Sequence, residues 1–449
     1  MIKKSIITLL ILIHYSIAFS QNTSLSLTLE EAIQYALDNN YDVLNAENNL
    51  EAAKKQKWET TATGLPQISA TIDYQNWLKQ QVSLIPAEFF GGNPGEFAEV
   101  IFSTKHNMTA TATLNQLLFD GSYLVGLQSA KVFIEISSLA KEKTELEVKK
   151  AVIDAYGNVL LVEESIDILE KNKKTLQKNL NDIQKTYENG LAEEESVEQL
   201  QITLSNTENN LSKSIRLKNI AYKMLNNVLG IDINKPITLK DNLETLTTQN
   251  IDLNLISNSL NLNNNIDIKI AQNNERSQEL LLKYEKSKAL PTLTAFVNGG
   301  YNGFGNSFSF LRSNQKWFGF SLLGVSLNVP IFSSLGRSAK TQRAKIELDK
   351  AKINLTQTEQ KLKLQAESAK SDYQFAIQQY QTSKQNLALA ERIEKKNQIK
   401  FFEGVATSFD LHQAQIQLYT TQQEYLQSML DVINKRIALE TILNNTIDN

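Results

Sequence analysis

The sequence predicts an α+β protein made of two tandem copies of one unit, in which long coiled-coil helices alternate with pairs of β-strands. Three observations predict this fold class. Sequence landmarks recur in the same order in both halves of the chain. Apolar residues step by three and four over long segments, and two segments in each half alternate with period two. The chain of 449 residues has 6 prolines and 17 glycines, which favours long helices over many short strands joined by turns.

The first twenty residues form a separate segment. Lys3 and Lys4 precede an apolar run from Ile6 to Ile17, and small residues follow up to Ser20. This pattern predicts a secretory signal peptide over residues 1–20. A membrane anchor is the alternative, but the apolar run is short for a transmembrane helix, and no later stretch reaches the roughly 20 apolar residues that one needs. We therefore expect an exported chain that is periplasmic, extracellular or a β-structure in an outer membrane.

The duplication sets the domain organisation of the remaining chain. Leu65-Pro66 recurs as Leu290-Pro291, displaced by 225 residues, and Leu114-Asn115 recurs as Leu327-Asn328, displaced by 213. The first copy therefore carries about 12 extra residues between these landmarks. The stretch 78–104, which is rich in proline and glycine, is predicted to hold them in a long loop.

Two segments of each copy alternate between apolar and polar side chains, as strands with two different faces do. We assign residues 21–235 to repeat 1 and residues 236–449 to repeat 2. The predicted strands cover about 67–77 and 105–118 in repeat 1, and about 292–300 and 317–331 in repeat 2. Pro330 lacks a backbone N–H and marks the end of the last strand. At this point an ordinary sheet that covers a hydrophobic core remains an alternative.

After the second strand of each copy the period changes to that of a coiled coil. Twelve positions step by four and three, and eleven are apolar: Val148, Val152, Ala155, Val159, Val162, Ile166, Leu169, Lys173, Leu176, Leu180, Ile183 and Tyr187. The register is repeated 214 residues later, with polar residues at Ser383, Glu394 and Asn397. No proline lies between Asp120 and Asn189, and a helix of this size would be about 100 Å long. We predict a projecting rod that packs against similar rods.

Each long helix ends near a glycine. Gly190 and Gly404 occupy equivalent positions, and glycine is the usual left-handed residue after a helix C-terminus. Glu193–Glu195 follow the first turn, where the positive end of the next helix favours acidic residues. After the second turn, Thr407-Ser408 can cap the next helix, with Asp410 in its first turn.

The motifs at these joins resemble the TolC family of outer membrane efflux and secretion channels. Leu-Pro precedes the first strand of each copy. The strand-to-helix joins have the sequences of Leu114–Gly121 and Leu327–Phe332, and the turns those of Tyr187–Ala192 and Phe402–Ala406. The order and duplication of these motifs make the resemblance specific, and it covers essentially the whole chain after the signal peptide.

The resemblance implies an α+β membrane protein in the outer membrane of a Gram-negative bacterium. In such a homotrimer, four strands per chain make a 12-stranded β-barrel in contact with outer membrane lipid, and long antiparallel coiled-coil helices make an α-helical barrel through the periplasm. The channel would be a passive exit duct of a tripartite efflux or type I secretion system, for small molecules or proteins. Its partners would be a periplasmic adaptor and an inner membrane transporter.

The resemblance also implies two kinds of site. The adaptor-docking tips are the two turns: Gly190, Leu191, Ala192, Gly404, Val405 and Ala406. Family members commonly carry two acidic residues, spaced i and i+3 after the second turn, that line a cation-binding periplasmic gate. Asp410 matches the first, but Gln413 stands where the second would be, so a trimer would have three carboxylates instead of six. The alternative is that Asp410 is a helix cap only.

An enzyme is a poor explanation of this sequence. The absence of cysteine excludes disulfides, thiolate metal sites and cysteine nucleophiles, and we expect no cofactor. Beyond the signal peptide, His106 and His412 have no nucleophile or carboxylate at an evident catalytic spacing. The glycine-rich segment 299–305 lacks the lysine and Ser/Thr of a phosphate loop, and we predict it to be a strand end and an exterior loop. With 46 basic and 49 acidic residues, we expect no nucleic-acid partner.

A soluble periplasmic coiled-coil adaptor or scaffold is the second alternative, because adaptors also contain helical hairpins. The duplicated strand pairs argue against it. So do aromatic residues near the strands, at Tyr74, Trp77, Trp317, Phe318 and Phe320, which we interpret as interfacial rings of a membrane barrel.

Overall fold

The computed structural model describes residues 25–443, so the predicted signal peptide lies outside the described residues. The helices are α1 Leu29–Asn39, α2 Tyr41–Ala62, α3 Gly121–Glu188, α4 Glu194–Leu229, α5 Leu243–Gln249, α6 Asn254–Ser257, α7 Ile266–Ser287, α8 Gly336–Phe402 and α9 Ser408–Leu443. The strands are β1 Leu25–Leu27, β2 Gln67–Asn76, β3 Ser83–Pro86, β4 Phe97–Val100, β5 His106–Asp120, β6 Ile237–Leu239, β7 Thr292–Gly305 and β8 Trp317–Asn328. Short 3₁₀ turns cover Ala87–Phe90 and Leu262–Asn264. No helix among the described residues is long and apolar enough to cross a membrane.

The described chain divides into two units. Residues 25–49, 138–270 and 356–443 make the helical unit, and residues 50–137 and 271–355 make the strand unit. The helical unit contains both turns between long helices. The strand unit contains the four long strands.

The helical unit begins with a junction between the starts of the two repeats. β1 and β6 pair in parallel, with Leu25 opposite Ile237. The hydroxyl of Tyr156, which is 1% exposed, lies 3.0 Å from the carbonyl oxygen of Leu27 and 2.7 Å from Oδ2 of Asp241. Burial, together with the neighbouring Asp241 carboxylate, raises the pKa of Tyr156 well above its usual range. These contacts give a buried tyrosine the polar partners that it requires.

The coiled-coil seam forms the core of the helical unit. None of the twelve predicted seam positions in α3 is exposed. Near the turns, a separate apolar cluster is formed by Leu176, Ile183, Val197, Leu200 and Leu204 of repeat 1. Phe401 and Tyr419 of repeat 2 pack against this cluster, so the two helical hairpins contact each other there.

The strand unit contains an antiparallel sheet with the strand order β2-β5-β7-β8. Its register is continuous except for an irregularity between Leu117 and Phe119, opposite β7. β2 and β8 are the edges of this sheet. All residues of β2 are exposed, and so are all but one of β8. Exposure on both faces of an edge strand indicates that the described chain alone does not bury this sheet.

The long strands differ from their predicted bounds in repeat 2. β7 continues five residues beyond the predicted end at residue 300, so the glycine-rich segment belongs to the strand and not to an exterior loop. Gly300 permits the close approach of β7 to β5, because a Cβ atom at this position would lie 2.2 Å from the carbonyl oxygen of Ala110 on β5. β8 ends at Asn328, three residues before the predicted end, and Pro330 follows it.

The predicted loop 78–104 contains structure of its own. β3 and β4 form a hairpin with Leu84 opposite Glu99. A 3₁₀ turn between them is followed by Gly91, whose φ of 81° is left-handed. Local pairing of this kind satisfies backbone groups that an irregular loop of this length would leave to water.

Candidate functional site

The four-stranded sheet has two chemically different faces. In the observed register, one face, here called the apolar face, carries mainly aliphatic side chains. Its main members are Ile68, Ala70, Ile72, Tyr74, Met108, Ala110, Ala112, Leu114, Leu293, Ala295, Val297, Tyr301, Leu323, Val325 and Leu327. None of the paired positions on this face is Asp, Glu, Lys or Arg. Ile68, Ile72 and Leu323 are each at least 72% exposed, so this face is uncovered in the single chain.

The opposite face of the sheet, here called the polar face, carries mainly hydroxyl and amide side chains. Its main polar members are Gln67, Ser69, Thr71, Asp73, Gln75, Asn107, Thr109, Thr111, Thr113, Asn115, Thr292, Thr294, Asn298, Asn302, Ser326 and Asn328. The hydroxyl of Thr109 donates to Oδ1 of Asn302 at 2.8 Å and links β5 to β7. An uncharged apolar face behind a polar one is the alternation of a membrane β-barrel, with lipid on one side and water on the other.

Aromatic side chains cluster at one end of the apolar face. The Tyr74 ring lies 5.5 Å from Phe308, and the Phe310 ring lies 6.1 Å from Trp317, between ring centroids. The Tyr74 hydroxyl is 2.8 Å from Nδ1 of His106. Amphipathic aromatic rings at a strand end are typical of the membrane–water interface.

Phe318 and Phe320, which we predicted to be interfacial aromatic residues, do not join the aromatic cluster at the end of the apolar face. They lie on the polar face, because successive side chains of a strand point to opposite faces of the sheet.

Both predicted docking turns have the same backbone geometry. Gly190 and Gly404 have left-handed φ angles of 78° and 75°. The N–H of Leu191 donates to the carbonyl of Thr186 at 3.0 Å, and the glycine N–H donates to Tyr187 at 2.7 Å. The second turn repeats both bonds from Val405 and Gly404, at 2.8 and 3.1 Å. Each turn is therefore a Schellman motif, in which these bonds satisfy the last helical carbonyls.

The side chains after the turn glycines differ in exposure. Leu191 and Val405 are 80% and 74% exposed, whereas Ala192 and Ala406 are half-buried. Ala192 packs against the apolar cluster near the turns. An exposed aliphatic residue thus stands at each turn, directly after a hydrogen-bonded Schellman motif.

The two candidate gate residues lie in the first turns of α9. Asp410 forms a capping box with Thr407: its Oδ2 accepts from the Thr407 N–H at 2.9 Å and from Oγ1 at 2.7 Å, and its own N–H donates to Oγ1. These hydrogen bonds lower the pKa of Asp410. Asp410 and Gln413 are both exposed. The structure shows the capping role of Asp410, and its gating role stays a prediction.

The polar residue Glu394 interrupts the apolar seam of α8. It is half-buried, and this burial raises its pKa. The nearby Gln415 amide offsets part of this rise. The Nε2 and Oε1 atoms of Gln415 are buried without a hydrogen bond of normal geometry among the described residues. Gln398 donates to Asn179 at 2.9 Å nearby in the chain. The interrupted heptad was the one sequence signal that could have identified this polar part of the seam.

The two histidines among residues 25–443 each lie beside a hydroxyl group. His106 contacts the Tyr74 hydroxyl, and Nδ1 of His412 lies 3.0 Å from Oγ1 of Thr203. Within residues 25–443, no group of three or more His, Cys, Asp or Glu side chains has a geometry that could hold a metal ion.

Comparison with known proteins decides the family. The model of the family described as "Outer membrane efflux protein" matches residues 32–231 and 258–445. The chain belongs to the outer membrane efflux protein family. The predicted resemblance to TolC-family channels is thereby confirmed. The family is one of channels and not of enzymes.

Solved structures agree with this family. CusC is 18% identical, with a TM-score of 0.73, over 95% of each chain. VceC from Vibrio cholerae is 16% identical, with a TM-score of 0.70, over 92% of this chain and 95% of its own. For MtrE of Neisseria gonorrhoeae, crystallised in an open state, the identity is 15%, the TM-score 0.69, and the coverage 92% and 88%. No curated protein matches the sequence significantly.

These comparisons confirm the fold class, a helix-rich α+β chain of the TolC type built from two repeats. The family description also confirms the predicted location of this efflux protein in the outer membrane.

Proposed function

We propose that the protein is a passive exit duct in the outer membrane. The single observation that carries this proposal is the four-stranded sheet with an uncharged apolar face, a polar face and two exposed edge strands. Such a sheet suits a barrel wall between lipid and a water-filled channel. We assign the driving force to another protein.

We further propose a homotrimer. Four strands cannot close a barrel around a channel, whereas three copies supply 12 strands. Pairing of β8 of one copy with β2 of the next would satisfy both free edges. The helical unit offers an apolar surface for contact between copies: Leu217, Ile220 and Met224 form an exposed row on α4, with exposures of 42, 53 and 61%. Apolar rows outside the seam are expected where helices of neighbouring copies pack.

The two turns are the proposed docking surface for a periplasmic adaptor, which would connect the duct to an inner membrane transporter. Leu191 and Val405 support this role because their side chains are exposed at the ends of rigid helical hairpins. An adaptor would meet two related but unequal surfaces, since three glutamates follow Ala192 and Thr407-Ser408 follow Ala406. The cargo would be small molecules or proteins, selected mainly by the transporter.

Planar-bilayer recording tests the duct and its gate together. Purified wild-type protein should produce discrete cation-selective currents. Asp410→Asn should lower the cation selectivity and weaken block by multivalent cations, because three carboxylates around a narrow entrance attract cations. Gln413→Asp should instead raise the cation selectivity and strengthen the block by multivalent cations. The Asn amide oxygen can still accept from Thr407, so this variant separates charge from capping.

The pH dependence gives a further check on the same protein. Hydrogen bonds from Thr407 lower the pKa of Asp410 in the single chain. Cation selectivity of the wild-type channel should fall on acidification, as the Asp410 carboxylates take up protons, and the selectivity of Asp410→Asn should lack this change. Absence of any channel current would contradict the duct. Normal currents with unchanged selectivity and block in both variants would leave Asp410 with its capping role alone.

A further inference from the structure

On β7 and β8, five large apolar side chains lie on the polar face of the sheet, where no lipid contact accounts for them. This aromatic patch consists of Phe296 and Phe304 on β7 and of Phe318, Phe320 and Leu322 on β8. Phe318, Leu322 and Phe304 are 56, 55 and 47% exposed. The same face of β2 and β5 carries Ser, Thr, Asn and Gln at nearly every position. The patch is therefore confined to repeat 2.

Two rings of the patch are in contact with each other across β7 and β8. The Phe304 and Phe318 ring centroids are 6.0 Å apart. Phe296 lies across Gly324, where an added Cβ atom would come within 2.3 Å of the ring. Glycine at position 324 of β8 thus leaves room for the Phe296 ring of β7 over the neighbouring strand, next in register to Leu322.

Charge on the polar face has one sign. Among the paired positions of this face, Asp73 and Asp120 are the charged residues, and none is Lys or Arg. Asp120 is engaged at the start of α3, where its Oδ1 accepts from the N–H of Ser122 at 2.7 Å. Asp73 is exposed and shares a row across the sheet with Phe318, through Thr109 and Asn302.

We propose that the aromatic patch and Asp73 form a binding site in the channel wall for organic cations that carry aromatic rings. The proposal rests on the duct and trimer proposed above, in which the free edge of β8 meets the free edge of β2 of the next copy, so that a strand carrying Asp73 lies beside the strand that carries the patch. Ring faces attract cations through their quadrupoles and remove the apolar rings of a solute from water. A carboxylate beside them favours positive over negative solutes.

Block of the channel current measures this site with defined probes. Tetraphenylphosphonium, a cation with four rings, should block wild-type channels. Replacing both Phe318→Ser and Phe320→Ser should raise the concentration needed for half block about tenfold, because two ring contacts are lost. The matched control Phe89→Ser makes the same change at a 79% exposed phenylalanine outside the sheet and should leave the block unchanged.

Two further measurements separate ring contact from charge. Asp73→Asn should weaken block by tetraphenylphosphonium, and tetraphenylborate, with the same rings and a negative charge, should block wild-type channels much less. Tetramethylammonium, which has no rings, should be insensitive to both phenylalanine changes. If the serine pair does not assemble, Phe318→Leu with Phe320→Leu keeps the apolar volume and removes the rings, and it should still weaken the block severalfold.

The outcomes distinguish this site from the duct itself. Conducting wild-type channels with equal tetraphenylphosphonium block in the phenylalanine variants and in Phe89→Ser would overturn the site and leave the duct intact. Equal block by the phosphonium and the borate would also overturn it, since the carboxylate would then play no part. A purified trimer without any current would overturn the duct and the site with it.

Discussion

At the scale of single residues, the glycines of the two helix turns meet a specific requirement for backbone conformation. Gly190 and Gly404 have left-handed backbones, which cost a residue with a Cβ atom about 1–2 kcal/mol. An added Cβ atom would meet nothing within 4 Å at either position. The requirement for glycine is therefore one of backbone conformation, and any new side chain would project outward at the end of the hairpin.

Gly190→Val and Gly404→Val should disturb export without disturbing assembly. Each change should destabilise its turn by about 1 kcal/mol or more and place a branched side chain on the proposed docking surface. We expect normal amounts of trimer in the outer membrane and reduced export, measured as susceptibility to exported compounds or retention of a secreted protein.

The control for these variants is Gly91→Val. Gly91 is also left-handed, with φ of 81° and open space around an added Cβ atom, but it lies in the hairpin segment between β2 and β5. It should export normally. If both turn variants export as well as Gly91→Val at equal abundance, docking does not occur at the turns and must be sought along the sides of the helices.

At the scale of elements, the α8 seam contains an acidic residue whose burial has a thermodynamic consequence. Burial raises the folded-state pKa of Glu394 above its ordinary value of 4.5. Between these two values the folded chain binds a proton that the unfolded chain releases, so stability falls as the pH rises through this window. At neutral pH the charged carboxylate then destabilises the packing of α8 against α9.

Glu394→Gln should raise the unfolding temperature at about pH 7.5 and have little effect at about pH 4.5, because the amide carries no charge in the seam at either pH. Circular dichroism of the detergent-solubilised protein would measure both temperatures. Glu391→Gln is the matched control, since Glu391 is exposed on the same helix. A gain for Glu394→Gln that is the same at both pH values, or equal to that of Glu391→Gln, would show that burial of the Glu394 charge is not the cause.

At the scale of the whole molecule, the four-stranded sheet of one copy has two unpaired edges. β2 and β8 lie at opposite edges with β5 and β7 between them, so their backbones are about 14 Å apart at strand spacings of about 4.8 Å. A disulfide needs Cα atoms within about 7 Å. Cysteines introduced on these two strands therefore cannot join within one flat sheet, and any link between them must connect different copies.

The absence of cysteine from the chain makes this a direct test of the trimer. Thr71→Cys should be combined in turn with a cysteine at each polar-face position of β8, to search for the register between copies. Mild oxidation in outer membranes should give dimers and trimers on non-reducing gels for at least one pair. Thr71→Cys alone should give no crosslink and should run as a monomer on the same gels. A series that continues beyond three copies, or no crosslink with any pair, would contradict closure by three chains.

The amino-acid sequence by itself determined the features that depend on local periodicity. The step of three and four residues identified the seam of α3, none of whose twelve positions is exposed, and the period of two located the strands. The duplication identified Gly190 and Gly404 as equivalent positions, and both are left-handed. Each of these patterns is encoded within a few neighbouring residues, because a helix or a strand repeats over that distance.

Only the tertiary structure decided which distant residues share a surface. Trp317 and Phe318 are neighbours in the chain, but strand pairing assigns them to opposite faces, where one joins the aromatic cluster and the other the aromatic patch. The glycine-rich end of β7 resembled a loop until its pairing with β5 was known. Pairing register and burial arise from contacts between residues far apart in the chain. A local sequence pattern does not specify which distant strand or helix it contacts.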